Sequence, residues 1–542
     1  LKQLPNDDRH QHELEAEEMS DKSKEIFQHL SRRQMLSGMA ALGGTALIGS
    51  SLMIGRAQAR TAGTLVFGLS SYPPGIKPWE NKGTASSTVK LQIFRGLVGY
   101  GPDGSLQPEL AESWEIPDAR TYIFKLRENA VFHNGDPVTA EDVRASLRAI
   151  AAEDSTAHLR SRFGIVETIE TPDPKTVRII LKEPQVTFIY LLASVHSHIV
   201  SAKALTQDPE NFVGAGPYRV VAVERGTRME LEAFDQYYKT GLPKTKNLRF
   251  DAYKDENLRV AALEAGDVDI IEYVPWQSMD SIGANNKLNL DVVDGPFMYL
   301  LFNTESGPFT DPRLRQAVAY AVQRQDVIAA AFFGRGNLLG AMPIPKGSTY
   351  HEPRFEGHWT RDLEKAKTLL EEAGLADGFE ATLLSTAQYG MHKDTAEVVQ
   401  QNLADVGIQV KLNLPDWATR VSLGNRGQYD FAVMGSAGDF NDPDALTNFL
   451  DGSRGNSYVR SFGFADPGIN GLLAEGRQEL DPTKRKANYD KVHARALELA
   501  PIVPINWRAQ GYATQSYVSG FKNMPGFLTF YSGYSIENTA IE

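Results

Sequence analysis

The chain has no cysteine in its 542 residues, which removes disulfides, thiolate nucleophiles, cysteine-ligated zinc and iron–sulfur clusters together. Long hydrophobic runs are nearly as scarce. One stretch, Met35 to Ile54, holds 20 uncharged residues and just reaches the length needed to span a hydrocarbon core, but four glycines and four Ser or Thr leave it only weakly apolar. Basic charge is in deficit. The 56 Lys and Arg against 68 Asp and Glu give a net charge of −12, a balance that argues against nucleic acid or an anionic membrane as partner. The G-x-S-x-G elbow, the Gly-rich phosphate loop ending in Lys-Ser/Thr and the H-E-x-x-H motif are also missing. What remains is ordinary globular composition, 42% hydrophobic and 23% charged.

The weak apolar run has a clear setting. Ser31-Arg32-Arg33-Gln34-Met35-Leu36-Ser37 precedes it and Ala57-Gln58-Ala59 follows it. Adjacent arginines (Arg32, Arg33), a modest hydrophobic stretch and an A-x-A box (Ala57, Ala59) form a twin-arginine export signal, cut after Ala59. A single membrane anchor is the competing reading; a lipoprotein anchor is excluded because no cysteine follows. Residues 1–30 are polar and carry no apolar pattern, and are read as processed leader and not fold. The expectation is a periplasmic protein without a direct membrane anchor. Residues 1–59 hold seven basic and eight acidic side chains, so the exported part of about 480 residues keeps a net charge near −11. That length suggests two or three domains. Twin-arginine cargo often carries a cofactor; with the commonest cofactor ligand absent, none is expected.

The exported part reads as mixed α/β throughout. Thr64 to Ser70 is a buried strand running into the Ser71-Tyr72-Pro73-Pro74-Gly75 loop, and Val89 to Val98 looks helical. Thr121 to Leu126 alternates, with Tyr122, Phe124 and Leu126 on one face, and Asn134-Gly135 makes a turn. Thr139 and Asp142 open a helix as a cap. Asn257 to Ala265 is a helix stopped by Gly266, followed by a strand Asp269 to Val274. Asp311-Pro312 caps another helix, Asp362 to Ala373 is amphipathic and ends at Gly374, and Thr395 to Val406 followed by Ile408 to Leu414 is a helix–strand unit.

Chemistry-bearing clusters are few. His196 and His198 share a strand-like run, VHSHIV, where i and i+2 lie on one face; a two-histidine metal site is outweighed by two polar residues at a cleft edge or strand end. Asp439, Asp442 and Asp444 fail the calcium-loop pattern because Phe440 and Pro443 intrude and no glycine or distal glutamate falls in register. No metal site is expected. Paired carboxylates for an exported hydrolase are available in any acidic protein and carry little weight.

Several segments, in one order, resemble the periplasmic solute-binding proteins that serve peptide-type ATP-binding-cassette importers (extracellular solute-binding family 5). They are Pro108 to Glu115 (PELAESWE), Tyr122 to Arg127, Phe132-His133-Asn134-Gly135, Thr139 to Val143, Gly214 to Tyr218, Ala262 to Asp269, Phe302-Asn303 leading to Phe309 to Ala317, Ala366 to Gly374 and Gly427 to Asp430. The resemblance implies an α/β fold with two lobes, the type II periplasmic-binding fold in its enlarged, three-region variety, with mixed sheets and flanking helices. The first lobe would be discontinuous, 60–105, 217–310 and 512–542, enlarged by an insertion over 106–216; the second would cover 311–511. Hinges are expected near Phe309 and Gly511, with ligand enclosed on closure and the closed form read by an ABC permease. Trp114, Tyr122 and Gly216-Pro217 are expected to carry fold and not ligand. A monomer that captures a dipeptide-like or similarly sized polar solute without chemical change is expected, not an enzyme.

In peptide-binding members of that family a tryptophan and an aspartate stand at the spacing of Trp417 and Asp439, 22 residues apart, and the aspartate pairs with the ligand's α-ammonium group. Two departures put a peptide in question. Peptide binders have a second tryptophan where this chain has Ser436, and the long-oligopeptide type has basic residues where Gly424 and Val433 stand. Related members take up oligosaccharides, opines, glutathione or metal chelates. An aromatic floor from Tyr72, Trp79, Trp417 and Trp507 would suit such solutes too, and Arg508 is a candidate partner for a carboxylate or phosphate.

Overall fold

The computed structural model describes residues 63–207 and 213–542; Arg32, Arg33, Ala57 and Ala59 lie outside the described residues. Its backbone is an α/β arrangement of two lobes strung on one mixed sheet. The order across that sheet is Ile408–Asn413, Phe379–Leu384, Phe431–Ser436, Leu288–Phe302, Ile502–Gln515, Ile270–Ile271, Thr64–Leu69, Asn247–Ala252, Arg228–Ala233 and Tyr218–Glu224, with Gly336–Leu338 added beside Ile502–Gln515. Thr64–Leu69 runs parallel to both neighbours and every residue in it is buried. A strand covered on both faces is apolar along its whole length, and TLVFGL is that pattern.

Two long strands join the lobes. Leu288–Phe302 and Ile502–Gln515 pair antiparallel from Leu288–Gln515 to Leu301–Ile502, with register irregularities between Asp294 and Phe297 and between Met298 and Tyr299. The second half of the first strand also pairs with Phe431–Ser436, so the chain has already entered the second lobe's sheet at Phe297. The passage therefore lies at Asp294–Phe297 and not near Phe309, which is fully buried among Phe302, Phe379 and Phe431. Gly511, the other expected hinge, pairs with Val292 close to the passage. Gly295 sits at the irregularity because only a residue without a side chain fits: a Cβ there would stand 2.3 Å from the carbonyl oxygen of Gly526.

Residues 106–216, the expected insertion, carry their own antiparallel sheet, ordered Ala111–Asp118, Thr121–Leu126, Thr176–Leu181, Val166–Asp173. Tyr122, Phe124 and Leu126 turn into its core, as the alternation predicts. Helix Ala140–Ala151 opens with a complete capping box between Thr139 and Asp142. Asp311 and Asp362 cap Pro312–Ala321 and Leu363–Glu372, and Gly266, Gly374 and Gly407 adopt the left-handed conformation after their helices.

Three expectations fail for local reasons. The helix expected over 89–98 is Thr84–Ile93, and Val98–Tyr100 is a short strand; nine of the helix's ten residues are buried, so its polar first turn gave no amphipathic signal. Only Ile270–Ile271 forms a strand where six residues were expected, because Tyr273 takes a left-handed φ of 51° and bends the chain away. Residues 194–197 are turn and bend, not strand. Among the described residues no helix is long and apolar enough to cross a membrane.

Candidate functional site

Where the lobes face each other, two chambers meet at Thr84, which lines both. The larger, about 820 Å³, is walled by Ser70, Ser71, Thr84 and Tyr273–Gln277 from the first lobe and by Ala331, Phe333 and Gln388–Met391 from the second, with Arg508–Gln510 of the crossing strand between them. The smaller, about 320 Å³, lies among Ser87, His158, Arg162, His196, Asp439 and Tyr531. Tyr273 stands at their junction. Its hydroxyl is 3.1 Å from Thr84 Oγ1 and its ring stacks on Phe530 at 5.9 Å. The left-handed backbone at Tyr273 is held by Arg259, which donates to the carbonyls of Glu272 at 3.1 Å, Tyr273 at 2.9 Å and Tyr253 at 2.9 Å. A non-glycine residue at positive φ persists only where its surroundings over-determine it, and such positions gather at binding sites.

Arg508 is the distinctive group of the larger chamber. Its Nη1 rests 3.1 Å from Met391 Sδ, and its buried Nε has no partner. Among the described residues no carboxylate lies within ion-pairing distance of it. Burial, opposed only by the Tyr273 hydroxyl, pulls its pKa down to about 10, yet it stays charged at neutral pH. Asp255 and Glu256 line the same chamber but are engaged elsewhere: Asp255 caps its helix, accepting from the amides of Asn257 and Leu258 at 2.9 Å, and Glu256 accepts from Gln277 at 2.8 Å. A half-buried guanidinium without a counter-ion is partly stripped of water, and an incoming carboxylate offsets that cost through paired, charge-assisted hydrogen bonds.

Asp439 is in the opposite situation. Arg162 Nη1 donates to its Oδ2 at 2.5 Å and Asn448 Nδ2 at 3.0 Å, while the Arg162 guanidinium lies over the Phe440 ring. Its charge is already answered by a side chain from the insertion. The neighbouring acids of the same run are structural. Asp442 takes two hydrogen bonds from Arg485, at 2.7 and 2.6 Å, and buried Asp444 accepts from Thr187 and Thr447. His196 Nδ1 lies 3.2 Å from Lys90 Nζ and His198 stacks on Phe94. Burial beside Lys90 drives His196 down to about 2, so both rings are packed, neutral groups. No group of three or more His, Asp or Glu among the described residues could hold a metal ion.

The structure does not bring the expected aromatic floor together. Trp417 begins helix Trp417–Asn425 and packs on Tyr389, His392 and Tyr458; it touches the larger chamber's wall through the Tyr389 ring and through its amide, which donates to Gln388 Oε1 at 3.0 Å. Tyr72 packs on the first lobe's apolar cluster, and Trp79 donates to the carbonyl of His198 at 2.8 Å. Trp507 packs on Phe297 and Phe527, and faces away from Arg508. Ser436 ends its strand opposite Phe297, one residue before Ala437, which lines the smaller chamber. Tyr273, Phe530, Tyr531 and Arg162 were missed. No local motif marks a left-handed tyrosine, or an arginine in a four-residue helix that meets Asp439 from 277 positions away.

The family profile for bacterial extracellular solute-binding proteins, family 5 (Middle), matches residues 105–458. The chain is 28% identical over 478 residues to a glutathione-binding protein of Pectobacterium atrosepticum, covering 85% of this chain and 92% of that one. It is similar to the solved PBP AgaA of A. tumefaciens R10 in complex with agropinic acid, at 46% identity and a TM-score of 0.77, covering 88% of this chain and 99% of that one. HbpA2 of Haemophilus parasuis superposes with a TM-score of 0.78 at 25% identity, covering 88% of this chain and all of that one.

Proposed function

The chain belongs to the bacterial extracellular solute-binding proteins of family 5, the substrate-binding components of ABC importers, and from that premise we propose that its solute is a small organic acid of the opine kind, held by its carboxylate at Arg508. The observation that carries this is the half-buried guanidinium of Arg508, with its buried Nε unpartnered and no anionic partner between the lobes. Support comes from the 46%-identical relative, whose ligand is by name an acid. A dipeptide-like solute anchored by its ammonium at Asp439 is the weaker reading, because Arg162 already holds that carboxylate.

In this reading the lobes close over the solute, Tyr273 and Gln510 flank the bound acid, and the closed form is passed to the permease without chemical change. Trp417 and Tyr72 act behind the wall. Ser436 and Trp507 do not meet the solute. The receptor is a periplasmic monomer without a membrane anchor, exported by the twin-arginine pathway through Arg32 and Arg33 and cut after Ala59. Its first lobe takes in 60–105, 217 to the passage near 295, and 512–542, with 106–216 as insertion; the remainder to 511 is the second lobe.

The test is mass spectrometry of the solute that co-purifies from the native host, followed by thermal shift with that acid and its uncharged amide. Stabilisation through mass action is expected from the acid. Equal stabilisation by the amide, or product formation during incubation, rejects the reading.

A further inference from the structure

Among the described residues, methionine is a core residue with one exception. Met229, Met279, Met298, Met342, Met434 and Met524 are each at most 4% exposed. Met391 is only half-buried and lines the larger interlobe chamber. It is the second residue of helix Gly390–Ala404, on the second lobe's side of the cleft. A chamber of about 820 Å³ admits molecules far larger than a peroxide. The chain also has no cysteine, so no thiolate competes for a two-electron oxidant. The Met391 thioether is then the most accessible soft nucleophile among the described residues.

Its sulfur has a particular neighbour. Arg508 Nη1 lies 3.1 Å from Met391 Sδ, and that guanidinium forms no ion pair with a carboxylate among the described residues. A thioether is a weak acceptor, so it leaves most of the cation's hydrogen-bonding capacity unspent. Oxidation of the sulfur changes this one property. A sulfoxide is polar, and its oxygen is a strong acceptor carried on the same flexible side chain.

We propose that Met391 is an oxidation site that switches the cleft: a hydroperoxide converts its thioether to the sulfoxide, whose oxygen accepts from Arg508 and occupies the place a solute carboxylate would take. With hydrogen peroxide, the sulfur lone pair takes one oxygen and the O–O bond breaks. The proton on the transferred oxygen passes to the departing hydroxide, which leaves as water; sulfur loses two electrons and the peroxide gains them. The modification is reversible by methionine sulfoxide reductases. Loss of solute in the oxidised form rests on the carboxylate site proposed above, whereas the oxidation of Met391 and the masking of Arg508 do not.

The test treats the full chain with hydrogen peroxide, follows each methionine by peptide mass spectrometry, and then labels arginine with phenylglyoxal. Met391 is expected to gain one oxygen about tenfold faster than any of the six buried methionines. In the oxidised protein Arg508 is expected to react with phenylglyoxal about fivefold more slowly, and a methionine sulfoxide reductase restores the rate. Met391→Gln sets an amide oxygen beside the guanidinium and is expected to slow the labelling without peroxide. Met391→Leu is expected to label at one rate before and after peroxide. A buried methionine oxidised as fast as Met391, equal labelling of Arg508 in the two forms, or a peroxide effect that persists in Met391→Leu would each overturn the proposal. None of these readouts uses a solute, so they are separate from the carboxylate reading, which undiminished affinity of Arg508→Met for the co-purified acid would reject by itself.

Discussion

Trp507 and Arg508 are neighbours on the strand that joins the lobes, and they face opposite sides of it. Trp507 packs on Phe297 and Phe527 and lines a cavity within the second lobe, while Arg508 presents its guanidinium to the interlobe chamber. One strand thus carries the charge that lines the interlobe chamber, the aromatic residue packed on Phe297 and Phe527, and the passage between lobes.

Arg508→Met is expected to lower affinity for the acidic solute by about 2–4 kcal/mol, thirtyfold or more, because the ligand's carboxylate is then enclosed without its partner. The solute-free protein should melt no lower than the parent, since the substitution removes a half-buried charge that has no counter-ion. Titration calorimetry and thermal melts of the same preparation check both halves. A large fall in the melting temperature would assign Arg508 to the fold and not to the solute.

The Arg162–Asp439 pair ties the insertion to the second lobe, but its side chains are 20% and 39% exposed. Water and salt screen a pair so placed, and its coupling in a double-mutant cycle is expected to stay below about 1 kcal/mol and to shrink at high salt. Arg162→Ala should shift the balance of open and closed forms in small-angle scattering more than it shifts affinity for an acid. Conversely, if Asp439→Asn weakens an amine-bearing solute more than about tenfold, Asp439 exchanges Arg162 for the ligand's ammonium on binding.

Much of the fold was legible in sequence because it is written locally. The capping box of Thr139 and Asp142, the caps at Asp311 and Asp362, and the alternation at Tyr122, Phe124 and Leu126 all depend on neighbours within a few positions. The site was less legible because it depends on long-range pairing. Asp439 has the spacing of an ammonium receptor, but Arg162, which answers it, lies 277 residues earlier. Trp417 and Trp507 are aromatic residues at suggestive positions, yet strand polarity and helix placement turn both away from the cleft. Arg508 was legible as a cation; that no carboxylate pairs with it and that its Nε is left over is visible only in three dimensions.

Stability should fall with acid through a defined window. Burial lowers His133 to about 4, His392 to about 3 and His493 to about 3, from an ordinary value of 6.5. The unfolded chain therefore takes up protons below pH 6.5 that the folded chain refuses until pH 3–4. Stability is full above pH 6.5 and is lost as the pH drops below it, by about 1.4 kcal/mol per pH unit for each histidine. Glu537, held down to about 2 by Arg95 and Lys239, adds a loss of the same sign below its ordinary value of 4.5. Melting temperatures from pH 8 to 4.5 should be level and then decline, and His392→Gln should flatten the decline by one proton's share. A level profile throughout would contradict the buried, neutral state of these rings.

Gly295→Ala tests the passage between the lobes. A methyl group there meets the Gly526 carbonyl oxygen at 2.3 Å, and that oxygen is backbone and cannot swing aside as a side chain would. The two strands must part at the point where their register already shifts, and overpacking of this kind costs about 1–3 kcal/mol. Gly471→Ala is the matched control. It lies within helix Pro467–Gln478 with nothing within 4 Å of the place its methyl group would take, so the helix gains about 0.5–1 kcal/mol from the better helix former. Urea midpoints should therefore move in opposite directions for the two variants. Because Gly295 touches no solute, its variant should also change the rate of lobe closure on solute addition, read by stopped-flow tryptophan fluorescence; an unchanged rate with an unchanged midpoint would remove Gly295 from the hinge.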